Sequence, residues 1–324
     1  MEASKSMKVQ VMYNLSQLYW FFGSLLLFIT LSSAHGQETT KPHVIVLGVA
    51  QDGGYPHIGC EKKCCMRAHH SKDSSRFVVS IALVDPKEQK WWLFEATPDM
   101  ADQLRLFREI TKGIYPYLPE GIFVTHAHIG HYTGLMELGR EALGSNKVHV
   151  HALPRMCKFL QSNGPWSQLV ELNNIVLMKC ETNAPVTLSE SVMVTPFAVP
   201  HRDEFSETAG FRIETRGRNY LFIPDIDKWE KWEKNIVKEV DLVDVAFLDA
   251  TFWSITELPF RNIKMIPHPL VSETIEHFKD SDSDLKRKVT FIHFNHTNKM
   301  MWDKGARQEI EESGFSIAIQ GATY

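Results

Sequence analysis

Basic runs, repeats and linkers are what this chain most lacks. No Lys/Arg tract is long enough to release many phosphate counterions, and 35 basic against 39 acidic residues leave a formal charge of -4. That balance argues against a general nucleic-acid binder and leaves a small-molecule substrate as the expected partner. With no low-complexity linker, internal repeat or long charged tract, one domain is expected rather than a string of modules. Cysteine is scarce, five in 324 residues, and an odd number excludes a fully paired disulfide framework. Long apolar runs are missing too, apart from residues 18–31, which are short for a membrane span.

That apolar run has a purpose of its own. Lys5 and Lys8 precede it, and Ala34-His35-Gly36 follows with small residues at cleavage positions. Residues 1–36 therefore read as a signal peptide, with the mature protein starting near Gln37, exported to a periplasm or secreted. An uncleaved anchor is the alternative; no cysteine follows the run to carry a lipid. After cleavage no stable membrane insertion is expected.

What is present fits a globular enzyme: 44% hydrophobic and 23% charged residues suffice for one large core. Apolar runs of strand character fall at 43–49, 77–84, 91–95, 121–125, 147–151, 191–198, 209–215, 219–223, 242–248, 288–294 and 315–319. Helical spacing marks 99–110, 131–143, 153–163, 228–239, 270–279 and 303–313. Strands alternating with helices predict an α/β fold. Polar residues with chemical potential recur at strand ends: His126, Asp225, Asp249 and His293. Strand ends on one edge of a sheet are where layered α/β folds place their sites.

The segment Thr125-His126-Ala-His128-Ile-Gly130-His131 concentrates three imidazoles in a strand-to-helix junction. Residues i and i+2 of extended chain project to one side, so His126 and His128 can grip one ion, and His131 opens the next helix. Core packing is a poor explanation, because each buried imidazole needs polar partners. Cys60, Cys64 and Cys65 crowd within six residues, which suits a metal better than disulfides; Cys157 and Cys180 either pair or are simply buried. His149 and His151 alternate along a strand and are expected on its polar face. Asp52-Gly-Gly reads as a tight turn near the site. Thr97-Pro-Asp99 is expected to orient ligands, and Trp253 to wall the substrate.

The histidine segment resembles the H-x-H-x-D-H hallmark of the metallo-β-lactamase superfamily, and further motifs follow in order: Ala198-Val-Pro-His201, Leu221-Phe-Ile-Pro-Asp225 and Thr290-Phe-Ile-His293. The resemblance implies an αββα sandwich as a single domain over 37–324. Val46-Leu-Gly-Val-Ala-Gln-Asp-Gly-Gly-Tyr, Arg76 and Leu93-Phe-Glu-Ala-Thr-Pro-Asp99 look like the branch holding coenzyme PQQ synthesis protein B, the cyclic phosphodiesterases of phosphonate metabolism and ribonuclease Z. Carried over, His126, His128 and His201 would hold one ion, His131 and His293 a second, and Asp225 would bridge them. The ions would be Zn²⁺, with Mn²⁺ or Fe²⁺ also compatible with the ligand types.

Gly130 departs from the pattern, since an aspartate belongs there. The resemblance then leaves the second ion with His131, His293 and the shared Asp225, so its affinity is expected to fall and a one-ion enzyme becomes an option. Asp203 and Asp227 are candidates to compensate. Phe247-Leu-Asp249 and Ile266-Pro-His268 resemble the pair that donates a proton to the leaving oxygen. Cys60, Cys64, Cys65 and His296 resemble a structural zinc site, with His69 and His70 as alternative fourth ligands. The function implied is metal-dependent hydrolysis of a small ester, a phosphodiester or cyclic phosphate, by metal-activated water. A metal-dependent oxidation like that of PQQ synthesis protein B, or non-catalytic metal or ligand binding, are the alternatives. A homodimer is compatible with this reading. A tRNA-processing role is disfavoured by the expected export and by the lack of a basic Gly/Pro-rich arm in 132–200.

Overall fold

The computed structural model describes residues 40–257, 262 and 265–324. The signal-like residues 1–36 lie outside them. Two sheets account for the strands among the described residues. The first has the order β1 (His43–Gly48), β2 (Ser80–Asp85), β3 (Lys90–Phe94), β4 (Gly121–Phe123), β5 (Val148–Ala152) and β6 (Ile175–Lys179). The second runs from β13 (Ser316–Ile317) through β12 (Val289–Ile292), β11 (Val245–Asp249), β10 (Tyr220–Ile223), β9 (Thr208–Thr215) and β8 (Val192–Val199) to β7 (Val186–Ser189). Each sheet is antiparallel on one side and parallel on the other: β3 to β6 are parallel, as are β10 to β13.

Period-2 alternation sorts the apolar residues into two cores. Val44, Val46, Ile81, Leu83, Trp92 and Phe94 face the space between the sheets, where Phe211, Phe222 and Phe247 meet them. Ile45, Leu47, Ala82, Val84, Trp91 and Leu93 face the opposite way, onto Leu104, Phe107 and Leu160. Helix Met100–Ile110 buries Met100, Gln103, Leu104 and Phe107, an i, i+3, i+4, i+7 stripe, and Phe107 stacks on Trp91 at 3.9 Å. The layering is the αββα sandwich, as a single domain covering most of the chain.

The structure departs from the expected elements in places with clear causes. The helix expected over 131–143 is one α-turn, Ile129–Tyr132, followed by the 3-10 turn Thr133–Leu138. Gly134 presses against the chain before helix Met100–Ile110, where a Cβ would meet Thr97 O at 2.1 Å, so this segment is shaped by packing. The helix expected over 228–239 divides into a 3-10 turn, Trp229–Lys231, and a helix Ile236–Asp241 that Asn235 caps by accepting from Lys238 N. β6 and β7 were not expected; both are edge strands with partly exposed faces.

Candidate metal centre and active site

Every strand that delivers a candidate residue ends at the same edge of the sandwich. β4 is followed by Thr125-His126, β8 by Pro200-His201, β10 by Pro224-Asp225 and β12 by His293, while β11 ends on Asp249 itself. His293 has φ +66, a left-handed conformation in which its ring nitrogen Nδ1 lies 2.8 Å from Thr251 Oγ1. Thr125 Oγ1 holds His126 Nδ1 at 2.8 Å.

Three donor groups share one carboxylate, that of Asp225, and Asp225, Asp249, His268 and His293 make one of them. His126, His128, His201 and Asp225 bring four ligand atoms within 4.8 Å of one another, and so do Asp52, His131, Asp225 and His293. Asp225 stands between them: Oδ2 lies 3.4 Å from His126 Nε2 and 3.3 Å from His131 Nε2, and Oδ1 lies 3.5 Å from His201 Nε2. The expected ligands therefore come together, including both histidines of the second set.

A carboxylate from another segment lies beside the second set. Asp52, expected only as part of a turn, places Oδ1 3.1 Å from His131 Nε2. Asp52 thus stands as a further carboxylate beside the second set, which the resemblance did not supply. Asp203 and Asp227 do not compensate; Asp203 accepts from Thr208 Oγ1 at 3.3 Å and Asp227 from Lys231 Nζ at 2.6 Å. Sequence reasoning also missed Glu95, fully buried with Oε1 3.3 Å from His131 Nδ1. The signal for both was the strand-end rule, since Asp52 follows β1 and Glu95 follows β3.

Thr97 and Asp99 brace the chain rather than touch the donors: Thr97 Oγ1 donates to Gln103, and Asp99 Oδ2 accepts from Val78 N at 2.8 Å. His151 is buried against Phe123, ring centroids 4.4 Å apart, instead of facing solvent as His149 does. Burial lowers its pKa to about 4.

Electrostatics distinguish the two sets. Burial and then the neighbouring His131 push His126 well below the usual imidazole range, and burial lowers His201. Burial also opposes charge on His131 and His293, yet Glu95, Asp225 and Asp52 hold His131 well above that range. Asp225 and Asp249, with Asp52, raise His293 to about 9. Asp225 itself, although burial opposes its charge, is held well below the usual carboxylate range by His201, His293 and His268.

The residues present fit divalent cations. His126 Nε2, His131 Nε2, His293 Nε2, Asp52 Oδ1 and Asp225 Oδ1 are all buried without a hydrogen-bond partner. Such atoms are costly to leave unmet, and here they converge. Imidazole and carboxylate donors suit Zn²⁺ as well as Mn²⁺ or Fe²⁺.

Beside the sets, His268 Nδ1 lies 2.9 Å from Asp249 Oδ2 and 3.0 Å from Asp225 Oδ1. Burial would lower its pKa, but those two carboxylates raise it to about 10. Thr251 Oγ1 donates to Asp249 at 2.7 Å. A cavity of ≈ 180 Å³ opens over this group, lined by Asp52, His128, His201, Asp225 and His268, with Arg202, Phe252 and Ile266. Its aromatic wall is Phe252; Trp253, the expected wall, packs against the core.

A separate cluster joins Cys60, Cys64, Cys65 and His296 within 4.8 Å. Cys65 Sγ lies 3.3 Å and Cys64 Sγ 3.7 Å from His296 Nδ1. His69 does not take the fourth place; its Nε2 meets Cys60 O at 2.8 Å. Burial lowers His296 to about 4, leaving its ring neutral with a free lone pair. Cys157 and Cys180 are buried and unpaired.

Two layers of helix around two facing sheets, with histidine and aspartate donors at one edge, define a metallo-β-lactamase-type protein. The chain belongs to the beta-lactamase superfamily, whose domain model matches residues 90–294. Among curated relatives, coenzyme PQQ synthesis protein B of Methylorubrum extorquens (strain PA1) is 24% identical, covering 87% of this chain and 99% of its own. The protein of the same name from Methylobacillus flagellatus is 27% identical, covering 86% and 98%.

Solved structures of the same fold include Zn²⁺-bound PqqB from Methylobacterium extorquens, with TM-score 0.71, 20% identity and coverage of 87% and 99%. A diphosphatase of the PhnP family has TM-score 0.63, 19% identity and coverage of 88% and 96%. The short form of human tRNase Z has TM-score 0.55, 17% identity and coverage of 87% and 98%.

Proposed function

We propose that this protein is a metal-dependent hydrolase of a small phosphodiester or cyclic phosphate. The observation that carries this reading is His268, buried beside the donor sets and pushed up to about 10 by the Asp249 and Asp225 carboxylates. With Nδ1 engaged, Nε2 is left as the proton donor for a molecule in the cavity the residue lines. Divalent ions in the two sets, Zn²⁺ on the precedent of the zinc-bound PqqB structure, supply Lewis acidity and lower the pKa of water. Arg202, exposed at the cavity wall, favours an anionic ester, and Phe252 and Ile266 offer an apolar face to its organic part. Asp249 and Thr251 fix the His268 ring, and Glu95 fixes His131. The Cys60, Cys64, Cys65 and His296 cluster suits a structural zinc, because four protein donors close the coordination sphere.

A likeness to the PhnP-family diphosphatase and to tRNase Z supports phosphoester chemistry. An RNA end offers the same bond, so it belongs in the substrate panel beside small cyclic phosphates. The same reading places the enzyme outside the cytoplasm, behind residues 1–36; N-terminal sequencing of the mature protein checks for a start at Gln37. His268→Gln tests the acid directly. We expect kcat to fall about 10²–10⁴-fold with zinc content unchanged; an unaltered kcat would remove His268 from the mechanism.

Near full-length similarity to coenzyme PQQ synthesis protein B favours a second reading, an oxidation in that coenzyme's synthesis. Fe²⁺ in the first set with oxygen uptake would mark it.

A further inference from the structure

We propose that Asp52 is a metal ligand of the second donor set, and that position 130 is glycine because the Asp52 carboxylate fills the space a side chain there would take. The histidine loop would then hold its second ion with a carboxylate borrowed from the turn after β1.

The steric observation is direct. A Cβ built on Gly130 would lie 2.2 Å from Asp52 Oδ1, 2.8 Å from its Cγ and 2.7 Å from its Cα. The last of these is backbone, so rotating the Asp52 side chain away does not relieve the clash. Position 130 therefore has no room for a side chain in this arrangement, with the Asp52 carboxylate and Cα both in its place.

The chemical observation is independent of it. Asp52 Oδ1, His131 Nε2 and His293 Nε2 are buried and lack hydrogen-bond partners, although Oδ1 lies 3.1 Å and 3.9 Å from the two nitrogens. These three atoms lie within 4.8 Å of one another. Asp225 Oδ2, 3.3 Å from His131 Nε2 and 3.8 Å from His293 Nε2, faces the same point. Two carboxylates and two imidazoles form a donor set for one divalent cation.

Backbone pairing holds Asp52 where this role requires. Ala50 bridges Val78 on one side and Phe294, the residue after His293, on the other. Gln51 N donates to Phe294 O at 2.8 Å, and Phe294 N to Val49 O at 2.8 Å. Gly54, at φ +68, closes the turn with its N–H on Gln51 O, and the Gln51 side chain steadies the other Asp52 oxygen at 3.1 Å. Asp52 and His293 are thus braced on adjacent, paired segments, which is what a ligand position demands.

The test counts zinc, not turnover, so it stands apart from the hydrolytic reading. Wild-type protein and variants are reconstituted with zinc, desalted and measured by native mass spectrometry. Asp52→Ala is expected to carry one zinc fewer per chain than wild type. Gly130→Ala, which keeps Asp52 but places a Cβ on its carboxylate, is expected to lose the same zinc. Asp52→Asn, close to isosteric, guards against misfolding: it too should lose one zinc while its circular dichroism matches wild type. Full zinc content in Asp52→Ala or Asp52→Asn would overturn the ligand assignment. Full zinc content in Gly130→Ala would overturn the steric account of the glycine.

Discussion

Asp225 is the residue on which both donor sets turn, and the imidazoles around it differ in charge because their neighbours differ. His126 and His201 are lowered, so at pH 7 they are neutral and ready to bind. His131 and His293 are raised by Glu95, Asp225, Asp249 and Asp52, so at pH 7 they carry protons until a cation displaces them. The sign follows: the raised pair releases protons on binding, and the affinity of their set falls as pH drops below about 9, the His293 value. Calorimetry in buffers of different ionisation enthalpy should show the first zinc binding with little proton release. The second should release more protons than the first at pH 7. Equal release in both steps would contradict this division of charge. Asp52 shows why a residue's role escapes a sequence. Its acid group, flanked by glycines after an apolar strand, was visible, but its pairing with Gly130 depends on two distant segments meeting.

Strand ends and turns, rather than helices, build the site. Tyr55 Oη donates to Cys64 O at 2.6 Å, and His57 stacks on His296 at 4.4 Å, so the cysteine cluster ties the loop after Asp52 to the loop after His293. Cys65→Ser should therefore remove one zinc and speed amide hydrogen exchange through 51–69, with little change in β10 and β11; unchanged exchange in 51–69 would mean the cluster does not pin this loop. Most elements were legible from period and strand-end chemistry, because β1, β2 and β8 carry apolar runs. β6 and β7 were not, since edge strands alternate weakly, and helix Lys63–His69 was masked by its cysteines. The motif residues His126, His128, His131, His201, Asp225 and His293 meet in space because each follows a strand that ends at the same edge. Trp253 and Phe252 were exchanged as the cavity wall because adjacent residues point to opposite sides of an extended chain.

At the scale of the molecule, two sheets clamped by a shared aromatic core bring strands from both halves to one edge. Phe94 sits at its centre, stacked on Phe123 at 4.8 Å and edge-on to Phe211 at 5.4 Å and Phe222 at 6.1 Å. Phe94→Ala should cost about 3–5 kcal/mol of stability in denaturant unfolding, and a loss well under 1 kcal/mol would show that the sheets repack around the gap. No helix among the described residues is long and apolar enough to cross a membrane. This frame brings His268, Arg202 and the donor residues around Asp225 to one cavity, where phosphoester hydrolysis is the proposed reaction. The most direct measurement is turnover of a panel of aryl phosphodiesters, cyclic phosphates and RNA ends by the zinc-loaded protein, with and without oxygen. Zinc-dependent release of phosphate ester products at a rate indifferent to oxygen is expected. Full zinc occupancy with no cleavage across the panel, or turnover that stops when oxygen is removed, would contradict it.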